Sequence, residues 1–401
     1  MSDNSGDRFL SLLADADPTC QITYVSNGKG SGHGIATEYR EDVARSAQEF
    51  LRRTGGDVCV LLAGRLQSDF SNDGYSTEKV IATRCKSLLG DPGDKHYNAH
   101  RAIDLVLDTL GGSLDSAFKT VLYLSRFTSN LRIYVPRRAK SAGTLIAIGT
   151  RQLYMTPFSE LGPLDTQIRD PRNPTETLSA LDCYQSVDYV RKFGLNSLKQ
   201  ALMVLAKEMQ TGIPLSELLK TAADFAGTST EPMLADIKAL DFGGWGRTLQ
   251  IGELYAQSLL SRAGYEEPDV SSIASKLVYG YTHHPYPIDM REAESIGLAV
   301  KPMPPSIAEP ALRMIAQCTN LGLDIAVGAW KAERNYRIRH IMHKAAITGV
   351  PQKSQVRLTG EDGPPIGGQQ EAVAVIDPLY YDISERQRAF RVSRWKRFWS
   401  R

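Results

Sequence analysis

Between residues 103 and 157 the chain repeats one pattern: an apolar run, a short turn, a helix-forming stretch, then the next apolar run. IDLVLDT (103–109) reads as a strand, Gly111-Gly112-Ser113 as a turn and LDSAFKTVLYLSRF as a helix. LRIYVP (131–136) is the next strand, AGTLIAIG opens the next helix, and RQLYMTP (151–157) is a third strand. Strands alternating with helices at short spacing imply parallel β-α-β units, with crossover helices covering the sheet. Upstream, YREDVARSAQEFLRR (39–53) has helical spacing and VCVLLAG (58–64) has the composition of a buried strand. An α/β fold class follows.

The rest of the chain is organised differently. Residues 66–100 are polar, with mixed helix and loop signals. After residue 175 the pattern turns mainly helical, through LSALDCYQSVDYVRKFG, SLKQALMVLAKEM and a run over 215–262. EAESIGLAV (292–300) reads as helix then strand, and the proline cluster KPMPPS (301–306) is the strongest candidate domain edge. Beyond it we expect more helix over 308–347, a loop at EDGPPIGG, a strand at EAVAVID and a basic tail.

Composition bounds the function classes. At 401 residues the chain can bury a substantial core. Its apolar share of 42% and charged share of 23% are those of an ordinary globular protein. A net charge of +2 gives no overall field toward nucleic acid or membrane. The five cysteines are scattered with no C-x-x-C pair, so neither a disulfide framework nor a zinc ribbon is expected. The first residues, MSDNSGDRFLSLLADAD, do not read as a signal peptide, and no window approaches the roughly 18 apolar residues of a membrane span. A cytoplasmic setting is the expectation.

Two turns carry chemistry. Leu110-Gly111-Gly112-Ser113 follows directly on the strand IDLVLDT, and paired glycines let backbone amides approach a substrate with no Cβ in the way. Lys140-Ser141-Ala142-Gly143 follows the strand LRIYVP and opens a helix, whose free amides favour developing negative charge. In open α/β sheets ligands bind where such loops leave the carboxyl ends of strands. A serine hydroxyl with the amides of Gly111 or Gly112 and of Ala142 around it has the parts of an acyl-transfer site, each such donor being worth about 3 kcal/mol in the transition state. The plainer alternative is that Ser141 caps a helix and the glycines make a tight turn.

DTLGGSLDSA, VPRRAKSAGTLIAIG, FSELGPLDTQI and YTHHPYPIDMREAESIGLAV occur in that order over roughly residues 100–300. In this the chain resembles the Clp protease/crotonase superfamily, and more closely the serine dehydrogenase proteinase family, relatives of signal peptide peptidase A. The resemblance implies a spiral core of ββα units with added helices, which we place over 57–300. The pattern along the chain adds an N-terminal segment (1–56) packing on it and a mainly helical C-terminal extension over 301–401, the tail lying outside the resemblance. It also implies an oligomer and ATP-independent hydrolysis of peptide or protein substrates through an acyl-enzyme on Ser141, with neither cofactor nor metal. A non-catalytic Clp-like scaffold that recruits a partner is the alternative. A crotonase-like acyl-CoA enzyme is a third, disfavoured because such sites need no serine here.

The base that activates Ser141 stays open at this level, and a serine hydroxyl is a poor nucleophile without one. The Clp peptidase subunit has a histidine about 25 residues after its serine, and here that neighbourhood holds Asp165. The signal peptide peptidase relatives use a lysine from a later helix, and Lys192 and Lys199 lie at a comparable distance. His284, or its neighbour His283, falls where the Clp subunit keeps its triad aspartate, so Asp165 and His284 would form the usual acid and base with positions exchanged. Imidazole suits this task near neutral pH. Asp165 also fits a simple turn, bonding nearby backbone amides. Lys140 precedes Ser141 directly, and neighbouring side chains in an extended turn diverge.

Other signals are weaker. GKGSGHG (28–34) lacks the Gly-Lys-Ser/Thr ending of a phosphate loop. His96 with His100, and His340 with His343, have no acidic or cysteine partner at a recognised metal spacing. From Glu385 to Arg401 the tail holds seven basic residues interleaved with Phe390, Trp395, Phe398 and Trp399. Such a tail can contact nucleic acid, an acidic membrane surface or a partner, or pack on its own protein.

Overall fold

The computed structural model describes residues 21–26, 34–68, 76–170, 173, 177–208, 214–235, 237–281, 283–321 and 325–332. The phosphate-loop-like GKGSGHG (Gly34 excepted), His340, His343, EAVAVID and the basic tail lie outside them.

The chain is α/β, built on a mixed sheet. Its central strands are β3 (Val58–Leu66), β4 (Ala102–Gly112), β5 (Asn130–Val135) and β7 (Leu153–Met155). These run parallel in the order β7-β5-β4-β3, and β11 (Val300–Pro302) joins beside β7. On the far side of β3 the pairing turns antiparallel, through β12 (Ile325–Lys331), β1 (Gln21–Ser26) and β2 (Gly34–Tyr39). Two short strands leave this path: β6 (Arg138–Ala139) pairs the end of β4 at Thr109, and β8 (Glu160–Leu161) pairs β6. β9 (Gln167–Arg169) and β10 (Thr177–Ser179) form a separate hairpin.

Side-chain alternation fixes which layer each strand residue serves, because successive residues point to opposite faces. On β3, Val58, Val60 and Leu62 enter one apolar cluster while Cys59, Leu61 and Ala63 enter the other. The first cluster is closed by α2 (Thr77–Leu89), α3 (Leu114–Phe127), α4 (Ala142–Ala147), α7 (Ala239–Arg262) and α8 (Asp269–Tyr279). The second is closed by α1 (Glu41–Thr54) and α10 (Pro305–Asn320) through Val43, Phe50, Met314 and Ile315. Helices therefore lie on both faces, as the alternating pattern requires. Between α7 and β10 stand α5 (Ala180–Glu208), a single helix of 29 residues, and α6 (Leu215–Leu234). α9 (Met290–Ser295) precedes β11.

Two sequence expectations need correction. The proline cluster at 301–306 is not a domain edge: Pro305 opens α10, and the compact unit continues to Ala332. The helix expected over 308–347 ends at Asn320, and IAVGAWK is the strand β12, inserted between β3 and β1. Asn320-Leu321-Gly322 is a helix-stop signal, and the alternating, β-branched IAVGAWK after it suits a strand. Pro304 and Pro305 mark a helix start, where proline is well tolerated.

One buried polar network ties the first helix to the sheet. Asp104, on the α1 side of β4, is fully buried and accepts from Arg132 Nε at 2.5 Å and Nη2 at 2.9 Å, and from Thr54 Oγ1 at 2.5 Å. Arg132 Nη1 also donates to the Thr54 carbonyl at 3.1 Å. Burial pushes the Asp104 carboxyl up from the usual carboxylate range, against the pull of Arg132. Asp104→Ala strands the Arg132 guanidinium and is expected to cost about 3–5 kcal/mol. The loss would be read as a lower urea midpoint at unchanged slope; a loss below about 1 kcal/mol would show that the network does not anchor α1.

Candidate active site

Ser141 is the only non-glycine residue with positive φ among the described residues, at φ 49° and ψ −118°. L-residues reach such backbone only where the surroundings over-determine it, at about 1–3 kcal/mol. An N-cap serine would sit in extended backbone and accept an amide proton from the first turn. Ser141 does neither, so the cap alternative fails. α4 is only six residues long, so the expected help from a helix dipole gives way to individual amides at the turn.

The turn is held from several sides. Lys140 N–H donates to the Thr109 carbonyl at 3.0 Å, Gly143 N–H to the Lys140 carbonyl at 2.8 Å, and Thr144 N–H to the Ser141 carbonyl at 2.8 Å. Thr144 Oγ1 lies 2.8 Å from the Ala139 carbonyl and 2.7 Å from the Gly162 carbonyl, and accepts from Gly162 N–H at 3.0 Å. A Cβ on Gly143 would collide with the Thr109 methyl. Each position of Ser-Ala-Gly-Thr after the serine thus has a physical reason: Ala142 is fully buried, Gly143 fits against β4, and Thr144 clamps the turn to the Gly162 loop.

Gly111 and Gly112 are the end of β4 rather than a free turn. They pair Arg65 and Leu66 past an irregularity in β3, at φ 104° and 136°. A Cβ on Gly111 would stand 2.9 Å from both the Lys140 carbonyl oxygen and Ser141 Cβ, and 3.3 Å from the Ala142 nitrogen. The strand end is therefore seated directly against the serine turn. Gly111 N–H donates to Thr109 Oγ1 at 2.9 Å, which removes it as a free donor and leaves Gly112 and Ala142 for that role.

Asp165 and His284, 119 residues apart in sequence, come together. His284 Nδ1 lies 3.4 Å from Asp165 Oδ2. That is ion-pair range but not hydrogen-bond geometry, and Nδ1 is buried with no hydrogen-bond partner. Asp165 is 2% exposed, and its Oδ1 accepts from Leu181 N–H at 3.2 Å in the first turn of α5. It thus serves a helix start sixteen residues on, rather than its own turn. The two loops are stitched by main-chain bonds: Leu161 N–H to the Ile288 carbonyl at 2.8 Å, Ile288 N–H to the Leu161 carbonyl at 3.1 Å, and Leu164 N–H to the Leu277 carbonyl at 2.8 Å.

The other candidate bases stand apart from this arrangement. His283 is exposed. Lys192 lies on the outer surface of α5, where Asp188 holds it at 2.7 Å and it sits over the Tyr189 ring. Lys199 is exposed on the same helix. Neither lysine is desolvated, which a lysine base needs. His96 and His100 lie in irregular backbone, so they share no helix face. Sequence reasoning missed Thr109 and Thr144, whose hydroxyls tie the glycine strand and the serine turn, because single threonines carry no local signal.

No protein-family model matches the chain. It is similar to "Uncharacterized protein MJ0137" of Methanocaldococcus jannaschii, at 23% identity over 215 residues. That stretch is 54% of this chain and 57% of the relative, so the chain spans little more than half the length of the relative it matches.

Gly111→Ala is expected to push the Lys140–Ser141 backbone out of place and lower the reactivity of Ser141 toward a fluorophosphonate at least about 100-fold, since a displacement of about 1 Å can cost that much. Rates measured by intact mass check it. Native-like reactivity in Gly111→Ala would show that the close approach of β4 is irrelevant to the serine.

Proposed function

We propose that this chain is an ATP-independent serine peptidase, or peptidase-like hydrolase, with Ser141 as nucleophile. The observation that carries the reading is the strained backbone of Ser141, clamped by Thr109, Thr144 and the Gly111 strand and free of any capping duty. Strain of this kind collects where a side chain must be presented to a substrate. The finer fold assignment, a Clp/crotonase-type core, is proposed with it. In its support stand the parallel run of β3, β4, β5 and β7, the short β6–β8 strands branching from β4 beside the serine, and the sequence resemblance described above.

In the proposed reaction the Ser141 hydroxyl oxygen attacks a peptide carbonyl carbon while His284 takes its proton. Asp165, facing Nδ1, holds the ring and favours the imidazolium that forms; the 3.4 Å separation is of the kind that tightens when substrate fills a site. The amides of Gly112 and Ala142 receive the negative charge on the carbonyl oxygen. His284 then returns the proton to the leaving amine, and the acyl-enzyme forms as the C–N bond breaks. Water, deprotonated by the same imidazole, attacks the ester and releases the carboxylic acid, restoring Ser141.

A scaffold reading has one observation in its favour. Phe193, Met203 and Val204 on α5, and Leu215, Leu219 and Phe225 on α6, face solvent, an apolar surface suited to self-association or a partner. An oligomeric peptidase accommodates the same surface, so it does not displace the catalytic reading.

Hydrolysis of a quenched-fluorescent peptide mixture tests the proposal. Ser141→Ala should abolish turnover, and His284→Ala should lower it about 10²–10⁴-fold. Asp165→Asn should also lower kcat, with the circular dichroism of the folded chain retained. Turnover that survives Ser141→Ala would rule out this nucleophile; turnover that survives only His284→Ala would move the base elsewhere.

A further inference from the structure

Lys140 has a role that its position beside the serine conceals. Its side chain is largely buried, at 12% exposure. Nζ lies 3.1 Å from the Leu161 carbonyl, 3.4 Å from the Tyr286 carbonyl and 3.1 Å from Glu160 Oε1. An ammonium has three donors and no acceptor, and here each donor has a matching oxygen. The stem is equally committed: a Cβ on Gly162 would stand 2.8 Å from Lys140 Cδ.

These contacts join every part of the site. The Lys140 amide bonds β4 at Thr109, next to the glycine strand, and its carbonyl closes the serine turn through Gly143. Leu161 lies four residues before Asp165, and Tyr286 two residues after His284. Among its described residues, the loop from Tyr281 to Ile288 is tied firmly at its two ends, by Tyr281 Oη donating to Glu292 Oε1 at 2.9 Å with Lys276 over the Tyr281 ring, and by the Leu161–Ile288 pair. Between them stand the Tyr286 N–H to His283 carbonyl bond, the ring contact between Tyr281 and Tyr286, and the His284–Asp165 approach. His283, Pro285 and Tyr286 are exposed. Without the ammonium, the Tyr286 carbonyl, two residues from His284, loses its bond to the serine side of the site.

We propose that Lys140 is a positioning residue: its ammonium pins the His284 loop to the Asp165 loop and holds both in register with Ser141. This rests on the serine-hydrolase reading. It also accounts for the residue type, since a neutral side chain of the same length fills the space beside Gly162 but bridges none of the three oxygens.

Hydrogen exchange and acylation kinetics on the full chain test it together. In Lys140→Met, amide exchange over 283–288 should accelerate, the Ile288 amide included, while the melting temperature stays near native. Acylation of Ser141 by a fluorophosphonate should slow about 10- to 100-fold, the range expected of a base displaced by about 1 Å. Lys140→Arg, which keeps a multi-donor cation, should recover part of both. Native exchange in Lys140→Met would overturn the tether, whatever the kinetics. Faster exchange with native acylation would overturn its positioning role. If the native chain itself is not acylated, the hydrolase reading fails and positioning fails with it; acylation of the native chain that Lys140→Met leaves unchanged sinks the positioning role alone.

Discussion

The backbone of Ser141 at φ 49° is the constraint on which the rest of the site depends. A serine in that conformation is less stable than one in ordinary helix or strand by about 1–3 kcal/mol, and the surrounding contacts must supply the difference. Here they are main-chain bonds from Thr109, Lys140 and Thr144, the Thr144 hydroxyl against Gly162, and the glycine end of β4 packed on the turn. None is strong alone, each being worth about 1 kcal/mol net. Their joint effect is that the turn cannot relax without breaking several bonds at once. The same contacts explain why glycine stands at 111, 143 and 162: a side chain at any of them meets the serine turn or the strand beneath it.

That local rigidity is inherited from the sheet. β4 carries apolar residues into one core on alternate positions and Asp104, Val106 and Asp108 toward the other. Asp104 is anchored by Arg132 and Thr54, and Asp108 by Arg137. Both faces of the strand are thus fixed up to the point where Gly111 reaches Ser141. The second half of the site, Asp165 and His284, is fixed differently. Asp165 is buried and tied to the start of α5, whereas His284 rides on a loop whose ends are anchored at Tyr281 and Ile288 and whose exposed middle is held by Lys140 at the Tyr286 carbonyl. Asp165 is therefore the rigid partner and His284 the adjustable one, which fits a pair that stands at 3.4 Å and is short of a hydrogen bond.

Much of this was legible in the sequence where the signal was local or periodic. The strand–turn–helix repeat over 103–157 placed β4, β5 and β7, and the small-residue motif marked the serine turn. The approach of Asp165 and His284 was legible only through the resemblance of ordered motifs, because no spacing rule links residues 119 apart. Three things were hidden. IAVGAWK read as helix continuing from 308 because a short apolar run does not declare its period, and only its place between β3 and β1 makes it a strand. Gly111 and Gly112 read as a turn, whereas pairing with Arg65 and Leu66 extends β4 through them. The sequence has Lys140 diverging from its neighbour Ser141, but where its ammonium goes depends on the fold of residues 160–162 and 286.

Covalent labelling is the sharpest test of the proposal that Ser141 is an activated nucleophile. The chain would be incubated with a fluorophosphonate, weighed intact, digested and mapped. We expect a single adduct per chain, located on the peptide containing Ser141 and absent from Ser141→Ala. A folded native chain that takes up no adduct, or an adduct mapped to another residue, would show that Ser141 is not the activated nucleophile.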